Sequence, residues 1–293
     1  MARAAEAGPW RLTRAQAKIN LGLRVVGRRA DGYHLLDSLV AFADIGDHIA
    51  LRPGRTTKLQ VSGPFGPALA GTATPDNLVV QAAERFIGRF GGTAVDIRLW
   101  KRLPVASGIG GGSADAAAVL RLMAALAGMP EDDPDLAALA LTLGADVPMC
   151  LGGAPARVGG IGETLGPAPH LPPLPAVLAN CGAPVATPAV FQARRGKFSE
   201  PAALAKRYDT PAALAVDLRI FGNDLTAAAT TVAPGIVCTL EALAPGALFA
   251  GMSGSGATCF ALHPTAEAAR LAAKALRRAR PGWWVQPACL NRV

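Results

Sequence analysis

The chain has 293 residues, 51% of them hydrophobic, with a formal charge of +8 and five cysteines. That length buries one large core or two modest ones without help from disulfides or metals. Gly, Pro or charge cuts every apolar stretch short of the run needed to cross a bilayer, so no membrane span is expected.

The cysteines at 150, 181, 238, 259 and 289 are odd in number, scattered, and without a C-x-x-C pair or a histidine at metal spacing. They read as reduced, mostly buried thiols rather than a zinc centre. Residues 1–14 carry Arg3, Glu6, Pro9 and Arg11 and no apolar h-region, which points to a cytoplasmic protein. The positive charge suits an anionic partner. Its arginines lie in small groups such as Arg28 and Arg29, or Arg277, Arg278 and Arg280, with no aromatic-rich RNA-binding signature beside them. Nucleic acid is therefore not the expected partner, and a phosphorylated small molecule is.

In chain order, Ile19, Leu21, Leu23 and Val25 alternate with other residues, the period of a strand with one buried face; Lys18 and Asn20 share the opposite face. Residues 38–43 and 48–51 read as two further strands. Asp76 is the expected cap of a helix carrying Leu78, Val79, Ala82, Ala83 and Phe86. A strand over 94–100 leads into a glycine-rich stretch, and the alanine-rich residues 113–127 follow as a helix. Asp133-Pro134 opens another helix, which ends at Gly144. The Pro-rich residues 166–175 form the candidate domain junction. Strand signals at 176–178, 248–250 and 258–262 then mix with helix signals at 223–231 and 265–279. The expected class is α+β, in two layered domains, 1–165 and 166–293.

Three segments carry candidate chemistry. The first runs Pro104, Val105, Ala106, Ser107, Gly108, Ile109, Gly110, Gly111, Gly112, Ser113, Ala114 and Asp115, between a strand and a helix. Glycines let the backbone approach a phosphate closely, and the helix that follows aims free N–H groups and its positive dipole end at the same point. Ser113 is placed to cap that helix and to touch phosphate or Mg²⁺. On its own the stretch serves equally as a flexible turn. It is neither a Walker loop, lacking Lys-Ser or Lys-Thr, nor a dinucleotide fingerprint, lacking the third glycine.

The second segment is Leu143, Gly144, Ala145, Asp146, Val147 and Pro148, which places one carboxylate just past a helix end. Alone, Asp146 reads as a solvated loop residue. Lys18 supplies a cation able to pair with it, keep it ionised and fix it against a substrate hydroxyl. Phosphoryl transfer depends mainly on such alignment and charge stabilisation. The third segment, Gly251, Met252, Ser253, Gly254, Ser255, Gly256 and Ala257, is a second glycine-rich turn, for which a plain hairpin loop is the alternative.

Together these segments resemble the three motifs of the GHMP kinase superfamily, which includes galactokinase, homoserine kinase and mevalonate kinase. Residues 17–21, 27–34, 143–148 and 186–191 are similar in particular to the branch acting on a cytidine-diphosphate-linked methylerythritol. The resemblance implies a two-domain GHMP kinase fold with the active site in the cleft between domains. It also implies transfer of the ATP γ-phosphoryl group to the 2-hydroxyl of that small molecule, in non-mevalonate isoprenoid synthesis, with Mg²⁺ required.

By the same resemblance Lys18 and Asp146 form the catalytic pair. Residues 104–114 wrap ATP, with Asn77 and Lys101 towards the adenine. Asn20, Asp146, Thr187, Gly254 and Ser255 hold the substrate, whose cytidine lies with Tyr33, His34 and Phe191. A cytosine offers a π-face to Tyr33 and Phe191 and polar edges to His34. Ile109 and Met149 depart mildly from the family pattern, and Gly159 stands where a Glu is common. Two rival readings remain open: another GHMP kinase acting on homoserine or mevalonate, and a non-catalytic metabolite-binding protein of the same fold.

Overall fold

Polar residues lie inside the first strand, β1 (Arg11–Arg28), where alternation predicts one wet face. Lys18 is 7% and Asn20 5% exposed, buried like the apolar Leu21 and Leu23 that follow them. Both faces of this stretch are therefore covered. The computed structural model describes residues 8–70 and 76–292; residues 1–7, and with them Arg3 and Glu6, lie outside it.

The chain forms two compact units, and it passes between them several times, so neither is one continuous stretch. The first takes its described residues from Met1–Gln16, Gly46–Val105 and Gly111–Gly153. In it the second half of β2 (His34–Pro53) pairs antiparallel with β4 (Val95–Trp100), and β3 (Lys58–Ser62) adds in parallel to β4. The two strands expected over 38–43 and 48–51 are one strand, because Gly46 marks a close approach and not a break. A Cβ there would lie 2.0 Å from the Ala15 carbonyl oxygen, so only glycine lets β1 and β2 run together.

Helices α1 (Leu78–Phe90), α2 (Gly111–Ala127), α3 (Pro134–Leu143) and α4 (Val147–Gly152) complete this unit. Asn77, not Asp76, caps α1: its Oδ1 accepts from the Val79 N–H at 3.0 Å. Asp133 caps α3 as expected, accepting from the Asp135 and Leu136 N–H groups. Fully buried Ala116, Ala117 and Ala118 on α2 leave only methyl groups to pack. In the same unit two guanidinium groups lie over the Trp10 ring, Arg52 at 4.6 Å and Arg98 at 4.4 Å from its centroid.

The second unit takes Ala17–Ile45, Ala106–Gly110 and the described part of Ala154–Val293. Residues 166–175, expected as a junction, lie within it. Here the first half of β2 pairs with β5 (Ala156–Gly159), which forms a hairpin with β6 (Thr164–Pro167). β10 (Trp284–Leu290) runs antiparallel to the whole of β7 (Leu174–Asn180), Trp284 facing Asn180 and Leu290 facing Leu174. β7 continues to β9 (Cys259–Leu262) and β8 (Phe249–Met252).

Five helices cover that sheet: α5 (Thr187–Ala193), α6 (Pro211–Phe221), α7 (Thr226–Val232), α8 (Gly235–Leu243) and α9 (Ala266–Ala279). Val177, Ile236, Leu243, Ala261, Ala273 and Val285 are among its core residues. None of the five cysteines is in a disulfide, and only Cys150 and Cys259 are buried while Cys238 is exposed, fewer buried thiols than the sequence suggests. No helix among the described residues is long and apolar enough to cross a membrane.

Candidate active site

In the second unit, backbone and hydroxyl hydrogen bonds draw three sequence-distant segments together. The Lys18 N–H donates to the Ile109 carbonyl at 3.0 Å, which ties β1 to the first glycine-rich loop. The Asn20 N–H donates to Ser253 Oγ at 3.0 Å, and that hydroxyl donates to the Gly108 carbonyl at 2.9 Å. The Thr258 N–H adds a bond to the Ser107 carbonyl. Gly108 has φ +75°, and a Cβ on it would lie 2.6 Å from Ser253 O and 2.7 Å from Gly256 O. The two glycine-rich loops thus meet backbone to backbone, at a separation no other residue permits.

Gly110, at φ +65°, passes over the aliphatic stem of Lys18; a Cβ there would come within 3.3 Å of Lys18 Cβ. Ser255 Oγ and Thr187 Oγ1 share a hydrogen bond of 2.8 Å, which links the second loop to the start of α5. Asn223 Nδ2 holds that loop from the other side by donating to the Met252 and Gly254 carbonyls. Lys18, Asn20, Gly108, Ile109, Gly110, Thr187, Gly254 and Ser255 are therefore one connected neighbourhood.

On the same unit the His34 and Phe191 rings stack, centroids 5.1 Å apart and 25° from parallel. Burial, with the Arg28 and Arg194 guanidinium groups, holds the His34 imidazole below its ordinary pKa, so it is neutral at pH 7. Tyr33 is 61% exposed. A base between Tyr33 and Phe191 has to contend with the imidazole already on the Phe191 face.

The first unit holds the remaining candidates. Helix α2 begins at Gly111, two residues before the expected start, so Ser113 stands inside the first turn and not at the cap. The first-turn N–H groups of such a helix have no intrahelical partner, which makes this end suited to an anion. Asp146 precedes α4, and its carboxylate makes no capping bond to that helix. Asn77 spends its Oδ1 on the α1 cap.

Lys101 is 2% exposed. Its Nζ lies 2.6 Å from both Asp47 Oδ2 and Asp115 Oδ2, and its backbone N–H and carbonyl are taken by Ser62 and Phe65. Asp47 Oδ1 accepts from the Arg102 and Leu103 N–H groups, at 2.5 and 2.8 Å. Asp115 Oδ1 is buried with no partner. Burial pushes the Asp115 carboxyl up, Lys101 opposing and Asp47 adding to the rise. Lys101 stays charged: burial works against it, but the Asp115 and Asp47 carboxylates together lift its pKa.

Sequence reasoning gave no role to Asp47, Asp115, Ser253 or Ser38. Asp115 and Ser253 lie inside the two glycine-rich segments, but a partner 54 residues away in sequence, as Asp47 is from Lys101, leaves no local signal.

Two family models match the chain, that of the GHMP kinases N terminal domain over residues 77–154 and that of the GHMP kinases C terminal over residues 201–281. The chain belongs to the GHMP kinases, and within them to the family of 4-diphosphocytidyl-2-C-methyl-D-erythritol kinases. A relative of that name from Gluconacetobacter diazotrophicus is 50% identical over 283 residues, 92% of this chain and 92% of its own. One from Ruegeria pomeroyi is 52% identical over 277 residues, 92% of this chain and 95% of its own. The crystal structure of a 4-(cytidine 5'-diphospho)-2C-methyl-D-erythritol kinase superposes with a TM-score of 0.79 at 36% identity, covering 97% of this chain and 100% of that one. A homoserine kinase from Cytophaga hutchinsonii, at 20% identity and a TM-score of 0.69 over 98% of this chain and 96% of its own, shares the fold.

Proposed function

We propose that this protein transfers the γ-phosphoryl group of ATP to the 2-hydroxyl of 4-diphosphocytidyl-2-C-methyl-D-erythritol, releasing ADP, in the non-mevalonate route to isoprenoid precursors. The observation that carries this reading is half identity, over more than nine tenths of the chain, to enzymes of that name. The homoserine, mevalonate and non-catalytic alternatives have no comparable support.

In this reading Lys18 and Asp146 are the catalytic pair: Asp146 aligns the attacking hydroxyl and Lys18 steadies charge on it and on the moving phosphoryl group. Residues 104–114 receive the ATP phosphates, the start of α2 offering its N–H groups. Mg²⁺ enters with the nucleotide as part of that substrate and neutralises β- and γ-phosphate charge; Ser113 is the hydroxyl assigned to it. Asn77 and Lys101 stand towards the adenine. Because the Lys101 ammonium is already committed to two carboxylates, its part is to shape that end of the site. Asn20, Thr187, Gly254 and Ser255 hold the methylerythritol side, and Tyr33, His34 and Phe191 the cytidine. Residues 1–165 and 166–293 are the N-terminal and C-terminal functional halves of a cytoplasmic enzyme.

The test is ADP release by the purified protein with MgATP against a panel of the cytidine-linked alcohol, homoserine and mevalonate. Turnover with the first alone supports the reading. Turnover with either of the others at comparable kcat/KM, or with none, overturns it.

A further inference from the structure

Asn20 is held by two serines in the same manner. Ser38 Oγ lies 2.7 Å from the Gly22 carbonyl oxygen and 2.8 Å from Asn20 Nδ2. A carbonyl oxygen only accepts, so the single hydroxyl proton of Ser38 goes to Gly22. The Ser38 oxygen is then left as an acceptor, and the group it faces on Asn20 has to be the NH₂. This settles the orientation of the amide, which its shape alone does not. Ser253 repeats the arrangement on the backbone of the same residue, accepting from the Asn20 N–H and passing its own proton to Gly108.

The consequence falls on the other end of the amide. Asn20 Oδ1 is buried and has no hydrogen-bond partner, a state that folded proteins rarely leave without a use. Beside it stands Gly254, at φ +56°, where a Cβ would come within 3.3 Å of Oδ1. Gly254 sets no side chain of its own against that oxygen. An acceptor fixed in this way recognises a donor; the part of ATP assigned to the adjoining glycine-rich loop is its phosphates, which only accept, so the donor at this point is a hydroxyl of the alcohol.

We propose that Ser38 is a positioning residue for the alcohol substrate: by accepting from Asn20 Nδ2 it turns Asn20 Oδ1 into a fixed acceptor for a substrate hydroxyl. The inference rests on the reading of Asn20 as a contact to the alcohol. Without Ser38 the amide is free to flip, and half its orientations set an NH₂ against the hydroxyl.

Steady-state kinetics of Ser38→Ala, Ser38→Thr and Asn20→Ala, with the double variant Ser38→Ala/Asn20→Ala, test it. Ser38→Ala is expected to raise KM for the cytidine-linked alcohol by roughly 3- to 10-fold, the value of one neutral hydrogen bond. KM for ATP should stay within about twofold of wild type, a split that general loosening of the fold does not produce. Ser38→Thr, which keeps the hydroxyl, should restore the wild-type KM. On the Asn20→Ala background Ser38→Ala should add nothing, since its effect runs through that amide.

An unchanged alcohol KM in Ser38→Ala, or an equal effect with and without Asn20, overturns the proposal. Should Ser38→Ala not fold, Ser38→Cys, with its weak acceptor sulfur, takes its place under the same two criteria. A wild-type enzyme that fails to phosphorylate the cytidine-linked alcohol overturns the underlying reading instead, so the two failures are told apart by the unsubstituted protein.

Discussion

Replacing Lys101 with Met removes the one cation between two buried carboxylates. Asp47 is 0% and Asp115 2% exposed, and each puts an oxygen 2.6 Å from the ammonium. Taking one partner from a buried pair costs about 3–5 kcal/mol, because the remaining charge has neither water nor counter-ion. Scanning calorimetry should show a fall in Tm on the order of 10 °C.

The pH dependence carries the finer test. Asp115 has its folded pKa raised, chiefly by burial, so its contribution to stability is full below the ordinary carboxylate value and declines as pH rises above it. Wild type should therefore lose stability between pH 5 and 8 through this group. Lys101, also raised, contributes across that whole range and is lost only at strongly alkaline pH. Lys101→Met removes the charge opposing the Asp115 rise and should steepen the decline. Asp115→Asn keeps an oxygen for the ammonium, should cost only about 1 kcal/mol, and should flatten the decline. A Lys101→Met protein melting within a degree or two of wild type at pH 7 would refute this account of the triad.

Asp146→Asn should bind both substrates but turn over ~10²–10⁴-fold more slowly, as for loss of a positioned acid-base group; near-normal kcat in the purified variant would remove Asp146 from the chemistry. Gly108→Ala should destabilise the protein by roughly 2–4 kcal/mol through a positive φ and a collision with two backbone carbonyls, read by urea unfolding, where a midpoint equal to wild type would deny the close approach. Phe191→Ala and Tyr33→Ala should each raise KM for the cytidine-linked alcohol by roughly 5- to 150-fold, the range for a lost base-stacking contact, and leave KM for ATP alone. If both keep the wild-type KM in steady-state assays, the cytidine lies elsewhere.

The elements most legible in the sequence are those whose signals are local. Asp133-Pro134 and Gly144 bracket α3 because cap, Pro and terminal glycine act within their own turn. Thr265 caps α9 as its side chain accepts from the Ala268 N–H three residues on. The sequence sets the start of α2 two residues late because Gly111 and Gly112 weigh against a helix by propensity, while packing of the alanine face that follows draws them in. β2 reads as two strands in the sequence because Gly46 resembles a break until its neighbour Ala15 is known. Helices α6 and α8 and strand β10 went unread: α8 begins at Gly235 with no side-chain cap, and β10 contains Pro287.

The same division applies to the site. Both glycine-rich loops were visible as sequence, whereas their contact through Gly108 and Ser253, residues 145 apart, was not. The resemblance to GHMP kinases supplied roles that residue types alone left open. It said nothing of Ser38, an unremarkable serine in an apolar strand.

The cradle around Trp10 gives the protein a built-in optical gauge. Of its four tryptophans, Trp10 and Trp100 belong to one compact unit, Trp283 and Trp284 to the other. An indole in contact with the Arg52 and Arg98 guanidinium groups sits in an electric field that collapses once the strands carrying those arginines part. Its emission colour therefore reports the integrity of a single unit. With Trp100, Trp283 and Trp284 changed to Phe, one fluorescence trace follows that unit alone, and with Trp10 and Trp100 changed instead a second trace follows the other. Whether the two melt in concert or in sequence becomes a matter of comparing two curves.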